Sequence, residues 1–175
     1  SLNQKFFFAV TQHKKGNFDK AEKIYKEILK FDSRNFESLG NLGFLAYQKK
    51  NFITAKKFLL KAIEINPQFE DAHNNIGNVY KQLKEIQKSI FHYNQVLKIN
   101  PNNHQAWNNL GVTLKDLGKY KEAIENYKNA IRINKEYIEA YYNLSIIYSE
   151  LRNYKKAIHF YNKALQINPT NSIIH

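Results

Sequence analysis

The sequence predicts an all-α solenoid built from five helix-turn-helix units. Three observations lead to this fold class. Like residues recur every 34 positions, most visibly in "HNNIGNVY" from His73 to Tyr80 and "WNNLGVTL" from Trp107 to Leu114. Apolar residues within each recurrence follow the spacing of an amphipathic helix. Most recurrences end at a proline, which cannot continue a helix.

Aligning the chain with itself at this spacing gives columns of small and large residues. Small residues let two helices approach closely, and large residues fill the space between them. We therefore expect these columns to form the contacts between helices. The small columns are Ala9, Gly43, Gly77, Gly111 and Ser145, and Ala21, Ala55, Ser89, Ala123 and Ala157; the large column is Tyr25, Leu59, Tyr93, Tyr127 and Tyr161.

The columns predict a single array over 1–175, and its elements follow in order within each unit. A first helix carries apolar residues at helical spacing, as in Trp107, Leu110 and Leu114. A short turn follows, such as the one at Gly118, and a second helix and a closing segment complete the unit. One unit cannot bury its apolar faces alone, so neighbouring units must stack. The predicted units are 2–35, 36–69, 70–103, 104–137 and 138–171, with 172–175 as the start of a truncated sixth unit.

The pattern resembles the tetratricopeptide repeat, or TPR, over essentially the whole chain. The fourth unit matches the signature of that family closely, and the first unit departs most, with Lys5 at a position that is usually large and apolar and Ser33 in the proline position. The resemblance implies a right-handed superhelix whose first helices line a concave surface. The matching residues of the fourth unit are Trp107, Leu110, Gly111, Leu114, Ala123, Tyr127 and Ala130.

An asparagine recurs on the first helices of four successive units, at Asn41, Asn75, Asn109 and Asn143. Asn109 lies about 200° around the helix from Gly111, so it faces away from the core. An amide both donates and accepts hydrogen bonds, as a peptide unit does. We therefore expect the four to bind the backbone of an extended peptide, together with neighbouring side chains on the same helices. These neighbours are Asn74, Asn78, Asn108, Lys81, Lys115 and Tyr142.

This asparagine ladder resembles that of the TPR superhelix of O-linked N-acetylglucosamine transferase, whose asparagines hold substrate peptides by their backbone. The predicted function is therefore a protein-protein interaction scaffold that binds a peptide in its concave groove. Four alternatives stay open for the asparagines. They could cap local backbone groups, bond neighbouring units together, descend unselected from a duplicated ancestor, or reflect AT-rich codons.

No pattern of catalytic or metal-binding residues rises above the repeat. The chain has no cysteine, and none of its six histidines pairs with another at i,i+4. His73 takes a position that Trp107 and Tyr141 fill in other units, so we expect it to be packed rather than to bind a ligand. We predict no enzymatic activity, no cofactor and no metal.

The net charge is +12, from 27 basic and 15 acidic residues. Such a charge can indicate nucleic acid as a partner. Nearly all the basic residues are lysines, however, and they concentrate on the second helices, so we interpret them as a solvated exterior and do not expect nucleic acid to bind. We expect no transmembrane segment. The lack of cysteine fits a reducing compartment, and we predict a cytoplasmic location.

The last predicted helix keeps an apolar face, with Ile158, Tyr161 and Leu165, and no polar capping helix follows it. Two further hypotheses follow. The chain could be the substrate-targeting or assembly segment of a larger enzyme, such as a glycosyltransferase, sulfotransferase or oxygenase. It could also self-associate, because the exposed ends of the array could stack on another copy.

Overall fold

A computed structural model describes residues 1–169, and within that range it contains ten helices and no strand. The predicted all-α fold of paired helices is confirmed. Residues 172–175, where the sequence suggests the start of a sixth unit, lie outside the described range. The helices are α1 Leu2–Lys14, α2 Phe18–Phe31, α3 Phe36–Gln48, α4 Phe52–Ile65, α5 Glu70–Gln82, α6 Ile86–Ile99, α7 His104–Asp116, α8 Tyr120–Ile133, α9 Ile138–Glu150 and α10 Tyr154–Ile167.

The small and large columns meet between the two helices of a pair. A Cβ atom added to Gly77 would lie 2.6 Å from the ring of Tyr93, and one added to Gly111 would lie 2.7 Å from the ring of Tyr127. Both distances are far inside van der Waals contact, so the rings occupy the space that a side chain at these glycines would need. The sequence-based interpretation of these columns is confirmed at both pairs.

Side chains of asparagine begin several of the helices. Asn35, Asn51, Asn103 and Asn153 each accept a hydrogen bond from the backbone N–H three residues later, over 2.8–3.2 Å. This is the N-cap interaction, which satisfies a backbone donor that the first helical turn leaves without a partner. Part of the asparagine content of the chain therefore has a direct structural role, apart from any codon bias.

The turns inside the helix pairs share one backbone conformation. Gly16 and Gly118 have φ of 78° and 73°, and Lys50, Lys84 and Arg152 have φ of 58°, 62° and 57°. Successive members of this set lie 34 positions apart in sequence. Every helix pair therefore has a residue in the left-handed conformation at the same position of its turn. Glycine adopts this conformation at little cost, whereas the two lysines and the arginine are held there by the helices on either side.

The chain divides into two compact units, Ser1–Gln95 and the part from Val96 onward, with the division inside α6. In the first unit, α5 packs on α3 and α4 around a core that includes Leu39, Leu59 and Ile76, and a smaller core with Tyr25 joins α1, α2 and α3. In the second unit, α9 packs on α7 and α8 around a core that includes Tyr127, Leu144 and Ile147.

Candidate functional site

The first helices of successive pairs lie side by side within each unit, α3 against α5 and α7 against α9. Asn41 and Asn75 therefore stand on neighbouring helices, and so do Asn109 and Asn143. All four side chains are half-buried, as expected for residues turned away from the core but flanked by a neighbouring helix.

The first unit contains a cleft between α1 and α3, with a volume of about 380 Å³. We call it the α1–α3 cleft. It combines an apolar wall with polar groups at its edges, which is the usual composition of a ligand site. Its lining residues are Val10, His13, Lys14, Gly16, Phe18, Asn41, Phe44 and Gln48.

His13 fixes one wall of the α1–α3 cleft. Its Nε2 lies 2.6 Å from Oε1 of Gln48, and because an amide oxygen only accepts, this nitrogen donates the hydrogen bond. The imidazole meets the ring of Phe18 edge-on, at 5.6 Å between centroids, and lies 5.5 Å from the ring of Phe44. His13 is buried, so these contacts hold the cleft wall in a defined position.

Asn41 is the ladder residue in the α1–α3 cleft. Its Nδ2 donates to the backbone oxygen of Glu37, one turn earlier on α3, at 2.9 Å. Its Oδ1 makes no hydrogen bond within residues 1–169, so this acceptor can serve a donor that comes from outside the chain. Lys14 forms no ion pair with any described residue and places the one positive charge of the cleft at its edge.

Asn75, on α5, differs from its counterpart in the second unit because of its neighbour on α3. The residue 35 positions before Asn75 is Gly40, which has no side chain to bond with. Glycine is required there by Phe69, whose ring lies 2.5 Å from the position of a Cβ atom added to Gly40. Asn75 makes no hydrogen bond with any residue in the described part of the chain.

In the second unit, by contrast, Asn143 is bonded to the preceding first helix. Its Nδ2 donates to Oδ1 of Asn108, which lies 35 residues earlier, at 2.9 Å. Lys115 and Glu150 form an ion pair across the same two helices at 3.2 Å and at the same separation in sequence. At Asn143, therefore, the structure shows a hydrogen bond between neighbouring repeats, which the sequence left open as an alternative to ligand binding.

Two residues expected to be exposed on this surface are instead part of the packing. Asn108 is only 6% exposed, because α9 covers it and Asn143 bonds to it. Asn78 is half-buried and accepts a 2.6 Å hydrogen bond from the buried hydroxyl of Tyr93. The expectation that both side chains are exposed is wrong for Asn108 and only partly met by Asn78. It was based on rotation about a single helix, which does not account for the helix packed beside it.

The other predicted residues occupy the first helices without joining the α1–α3 cleft. Asn74, Lys81, Asn109, Lys115 and Tyr142 are all half-buried. Conversely, the sequence did not single out Val10, His13, Phe44 or Gln48 as ligand-binding residues. A signal existed, since Val10 and Phe44 share one column of the repeat and the polar residues Lys14 and Gln48 share another, but only the two columns taken together outline the cleft.

His73 is buried, as expected, but it has a partner that the sequence did not reveal. Its Nδ1 lies 2.9 Å from Nδ1 of His92, and its Nε2 lies 3.1 Å from the backbone oxygen of Pro67. The carbonyl can only accept, so His73 carries its proton on Nε2 and accepts from Nδ1–H of His92. Burial, and secondarily the neighbouring His73, lower the pKa of His92 to about 4; burial also lowers the pKa of His73.

The carboxylates and histidines of residues 1–169 form no group of three or more that could hold a metal ion. No helix in the described range is both long and apolar enough to cross a membrane.

Models of the tetratricopeptide repeat match residues 6–35, 36–69, 70–103 and 103–170, almost the whole chain. The chain belongs to the tetratricopeptide repeat family. Membership of this family indicates a protein-interaction scaffold, and proteins of the family are typically non-enzymatic. No curated protein matches the sequence.

Solved structures of TPR proteins resemble this TPR chain closely. A crystal structure of MamA has a TM-score of 0.79 and 26% identity, over 92% of this chain and 94% of that one. YrrB, described as a TPR protein with an unusual peptide-binding site, has a TM-score of 0.72 and 21% identity, over 97% and 88%. A thermophilic TPR protein of Thermus thermophilus has a TM-score of 0.84 and 16% identity, over 99% and 95%.

Proposed function

We propose that this protein is an interaction scaffold that binds an extended peptide segment of a partner in the α1–α3 cleft. The observation that carries the proposal is the composition of this one cavity. It joins the amide of Asn41 to three apolar side chains, Val10, Phe18 and Phe44, in about 380 Å³. Such a cleft can hold a peptide backbone by hydrogen bonds and a ligand side chain by apolar contact.

Asn41 would bind the ligand backbone through Oδ1, which accepts from a peptide N–H. A backbone contact of this kind does not depend on the side chains of the ligand, so it tolerates many sequences. Selectivity would come from the rest of the cleft. An apolar ligand side chain fits between Val10 and Phe44, and Lys14 favours an acidic or carbonyl group next to it.

Asn75 would supply a second hydrogen bond on the neighbouring helix α5. Packed helices lie about 8–10 Å apart, and an extended chain rises about 3.3 Å per residue. A peptide that crosses α3 and α5 would therefore meet Asn41 and Asn75 about three residues apart. For Asn74, Asn109, Lys81, Lys115 and Tyr142, peptide contact stays a prediction, while Asn78, Asn108 and Asn143 have structural partners that compete with such a role.

A peptide array tests the proposal. The intact chain is compared with the double variant Asn41→Ala and Asn75→Ala, and with Asn162→Ala as the control, since Asn162 is an exposed asparagine on α10. We expect the wild type and the control to bind an overlapping set of peptides and the double variant to lose most of them. Circular dichroism must show equal helicity and melting for all three. A wild type that binds no peptide, or a double variant that binds as the wild type does, would refute the proposal.

A further inference from the structure

Large apolar side chains stand on the solvent side of α4 and α6. Ile53 and Leu60 on α4 are 70% and 39% exposed, and Phe91 on α6 is 56% exposed. On α4 the exposed positions 53, 57, 60 and 61 follow the spacing of one helical face. These helices belong to the second and third helix pairs, so the surface does not lie at either end of the described array. We call it the α4–α6 patch, and it consists of Ile53, Lys57, Leu60, Lys61, Lys88 and Phe91.

An ionic cluster joins α4 to the beginning of α6. Glu85, in the turn before α6, accepts a hydrogen bond from Nζ of Lys56 on α4 at 3.1 Å and another from Nζ of Lys88. Both lysines place Nζ over the ring of Tyr80, at 5.1 and 5.4 Å from its centroid. The exposed sides of α4 and α6 are therefore parts of one surface within the first unit.

The apolar residues of the patch are exceptions to the repeat. The positions of Ile53, Leu60 and Phe91 carry a polar or charged residue in each of the other four helix pairs. Single exposed apolar residues are ordinary, but three such exceptions on adjoining helices indicate an interaction surface. The counterparts are Asp19, Gln87, Lys121 and Lys155 for Ile53, Lys26, Asn94, Lys128 and Asn162 for Leu60, and Lys23, Lys57, Glu125 and His159 for Phe91.

Positive charge surrounds these apolar residues. Lys57 and Lys61 are exposed and form no ion pair with any residue in the described range. Glu64 is the one acidic residue of α4, and α6 has none. By contrast, α3 and α5 together carry three acidic residues and one lysine. The patch therefore favours a partner that is negatively charged and accepts apolar side chains.

We propose that the α4–α6 patch docks the protein on the surface of an anionic lipid bilayer. The apolar side chains enter the boundary between headgroups and acyl chains, and the lysines remain at the level of the phosphates. The two contributions act together, since interfacial binding grows with the buried apolar area and with the attraction to anionic lipids. The patch and the α1–α3 cleft use different helices, so this inference does not depend on the peptide-binding proposal.

Other occupants fit these observations less well. A partner helix is held in a groove, whereas Ile53 and Phe91 protrude, and a lipid surface receives protruding side chains without a matching groove. A second copy that used the same patch would place Lys57 and Lys61 against lysines, and like charges repel. A nucleic acid would attract the lysines but leave Ile53 and Leu60 without a role.

Flotation of the intact chain with lipid vesicles tests the inference. The vesicles contain equal amounts of phosphatidylcholine and phosphatidylglycerol, and vesicles of phosphatidylcholine alone are the neutral control. The double serine variant combines Ile53→Ser with Leu60→Ser. Leu117→Ser is its control, because Leu117 is 41% exposed and lies outside the patch, between α7 and α8. Circular dichroism must show equal helicity for all three proteins.

At about 0.1 M salt we expect the wild type and Leu117→Ser to bind the anionic vesicles equally. The double serine variant should bind at least about tenfold more weakly, because it loses the apolar contribution. Binding should also fall at least about tenfold on neutral vesicles, and in a variant that combines Lys57→Gln with Lys61→Gln, because the electrostatic contribution is lost.

A fluorescent dye shows whether the patch enters the bilayer. The chain has no cysteine, so Ile53→Cys and Leu117→Cys each provide a single attachment point for an environment-sensitive dye. We expect the emission of the dye at position 53 to shift to shorter wavelength when anionic vesicles are added. The emission of the dye at position 117 should stay unchanged.

A wild type that does not float with anionic vesicles would overturn the inference and leave the patch to a protein partner. Equal binding of the wild type and the double serine variant would also overturn it, because the lysines alone would then account for the attraction. An equal loss of binding in Leu117→Ser, or an equal shift of both dyes, would show that the chain meets lipid without using this patch. Equal binding to neutral vesicles would contradict the selection of anionic lipid.

Discussion

Asn143 donates a 2.9 Å hydrogen bond to Asn108, and the two residues stand on neighbouring first helices, α9 and α7. Lys115 and Glu150 join the same helices. These contacts give the asparagines of the repeat two different roles. Asn143 joins helices in the second unit, whereas Asn41 in the first unit lines a cleft with a free acceptor, Oδ1, within the described residues.

The bond between Asn143 and Asn108 should contribute to stability. We expect Asn143→Ala to lower the free energy of unfolding by about 1–2 kcal/mol, because Asn108 would keep a buried amide oxygen without its donor. Asn162→Ala, at an exposed site, should change it by less than about 0.5 kcal/mol. Urea unfolding followed by circular dichroism measures both. Equal stability of the two variants would show that the bond does not stabilise the helix pair.

Two tyrosines of the large column should differ in how much the free energy of unfolding changes when the hydroxyl group is removed. Tyr93 donates to Asn78 at 2.6 Å, whereas the buried hydroxyl of Tyr127 has no hydrogen-bond partner among the described residues. The residue at the position of Asn78 in that pair is Val112. We expect Tyr93→Phe to cost about 1–2 kcal/mol and Tyr127→Phe to be close to neutral. Thermal unfolding of both variants checks this, and a larger loss for Tyr127→Phe would contradict it.

The left-handed turn residues predict a stabilising substitution. Lys84 has φ of 62°, a conformation that costs a side-chain-bearing residue about 1–2 kcal/mol relative to glycine. Glycine also makes the unfolded chain more flexible, which returns about 0.4–1 kcal/mol of that gain. Lys84→Gly should therefore raise the free energy of unfolding by about 0.5–1 kcal/mol.

Gly118 provides the reciprocal control, because its φ is 73° and the space around a Cβ atom there is open. Gly118→Lys should lower the free energy of unfolding by a similar amount through backbone strain alone. Guanidinium unfolding measures both variants. If Lys84→Gly destabilised the protein and Gly118→Lys did not, the strain argument would fail.

The histidine pair predicts a dependence of stability on pH. Burial lowers the pKa of His92 to about 4 and also lowers the pKa of His73. Near pH 6.5 the unfolded chain therefore binds protons that the folded chain does not bind. Stability that is fully present above pH 6.5 is then lost as the pH falls toward 4. For a pKa shift of this size, protonation of His92 lowers the free energy of unfolding by about 3 kcal/mol over this pH range.

The pair lies in a buried environment that disfavours a positive charge. His92 is 8% exposed and stacks on the ring of Tyr80 at 5.4 Å, so a protonated imidazole there would lose most of its hydration. His92→Gln should therefore flatten the profile of unfolding free energy between pH 6.5 and 4, while His159→Gln, at an exposed site, should leave it unchanged. Equal slopes for His92→Gln and the wild type would exclude the pair as the cause.

The 34-residue spacing predicted the paired helices and the contact between them because both follow from local sequence. Gly111 needs no information beyond its column to be placed against Tyr127. The cleft and the partners of the polar residues depend on neighbouring pairs. His73 and His92 lie 19 residues apart and belong to different helices, so no i,i+4 pattern could join them.

The asparagines show the same limit. Helical rotation placed Asn41 and Asn143 on equivalent positions, and the structure shows both half-buried. Rotation could not show that Gly40 leaves Asn75 without a neighbour to bond, whereas Asn108 provides one for Asn143. Differences of one side chain on the preceding first helix therefore decide which asparagine is available to a ligand.

The most direct test of the proposed function is the dissociation constant of one array-selected peptide for the wild type, Asn41→Ala and Asn143→Ala, measured by calorimetry beside the melting temperature of each. We predict that Asn41→Ala binds the peptide about tenfold more weakly, because one hydrogen bond between uncharged groups is lost. Its melting temperature should equal that of the wild type. Asn143→Ala should melt at a lower temperature and bind normally. The opposite pattern, with binding lost in Asn143→Ala and kept in Asn41→Ala, would contradict a peptide site in the α1–α3 cleft.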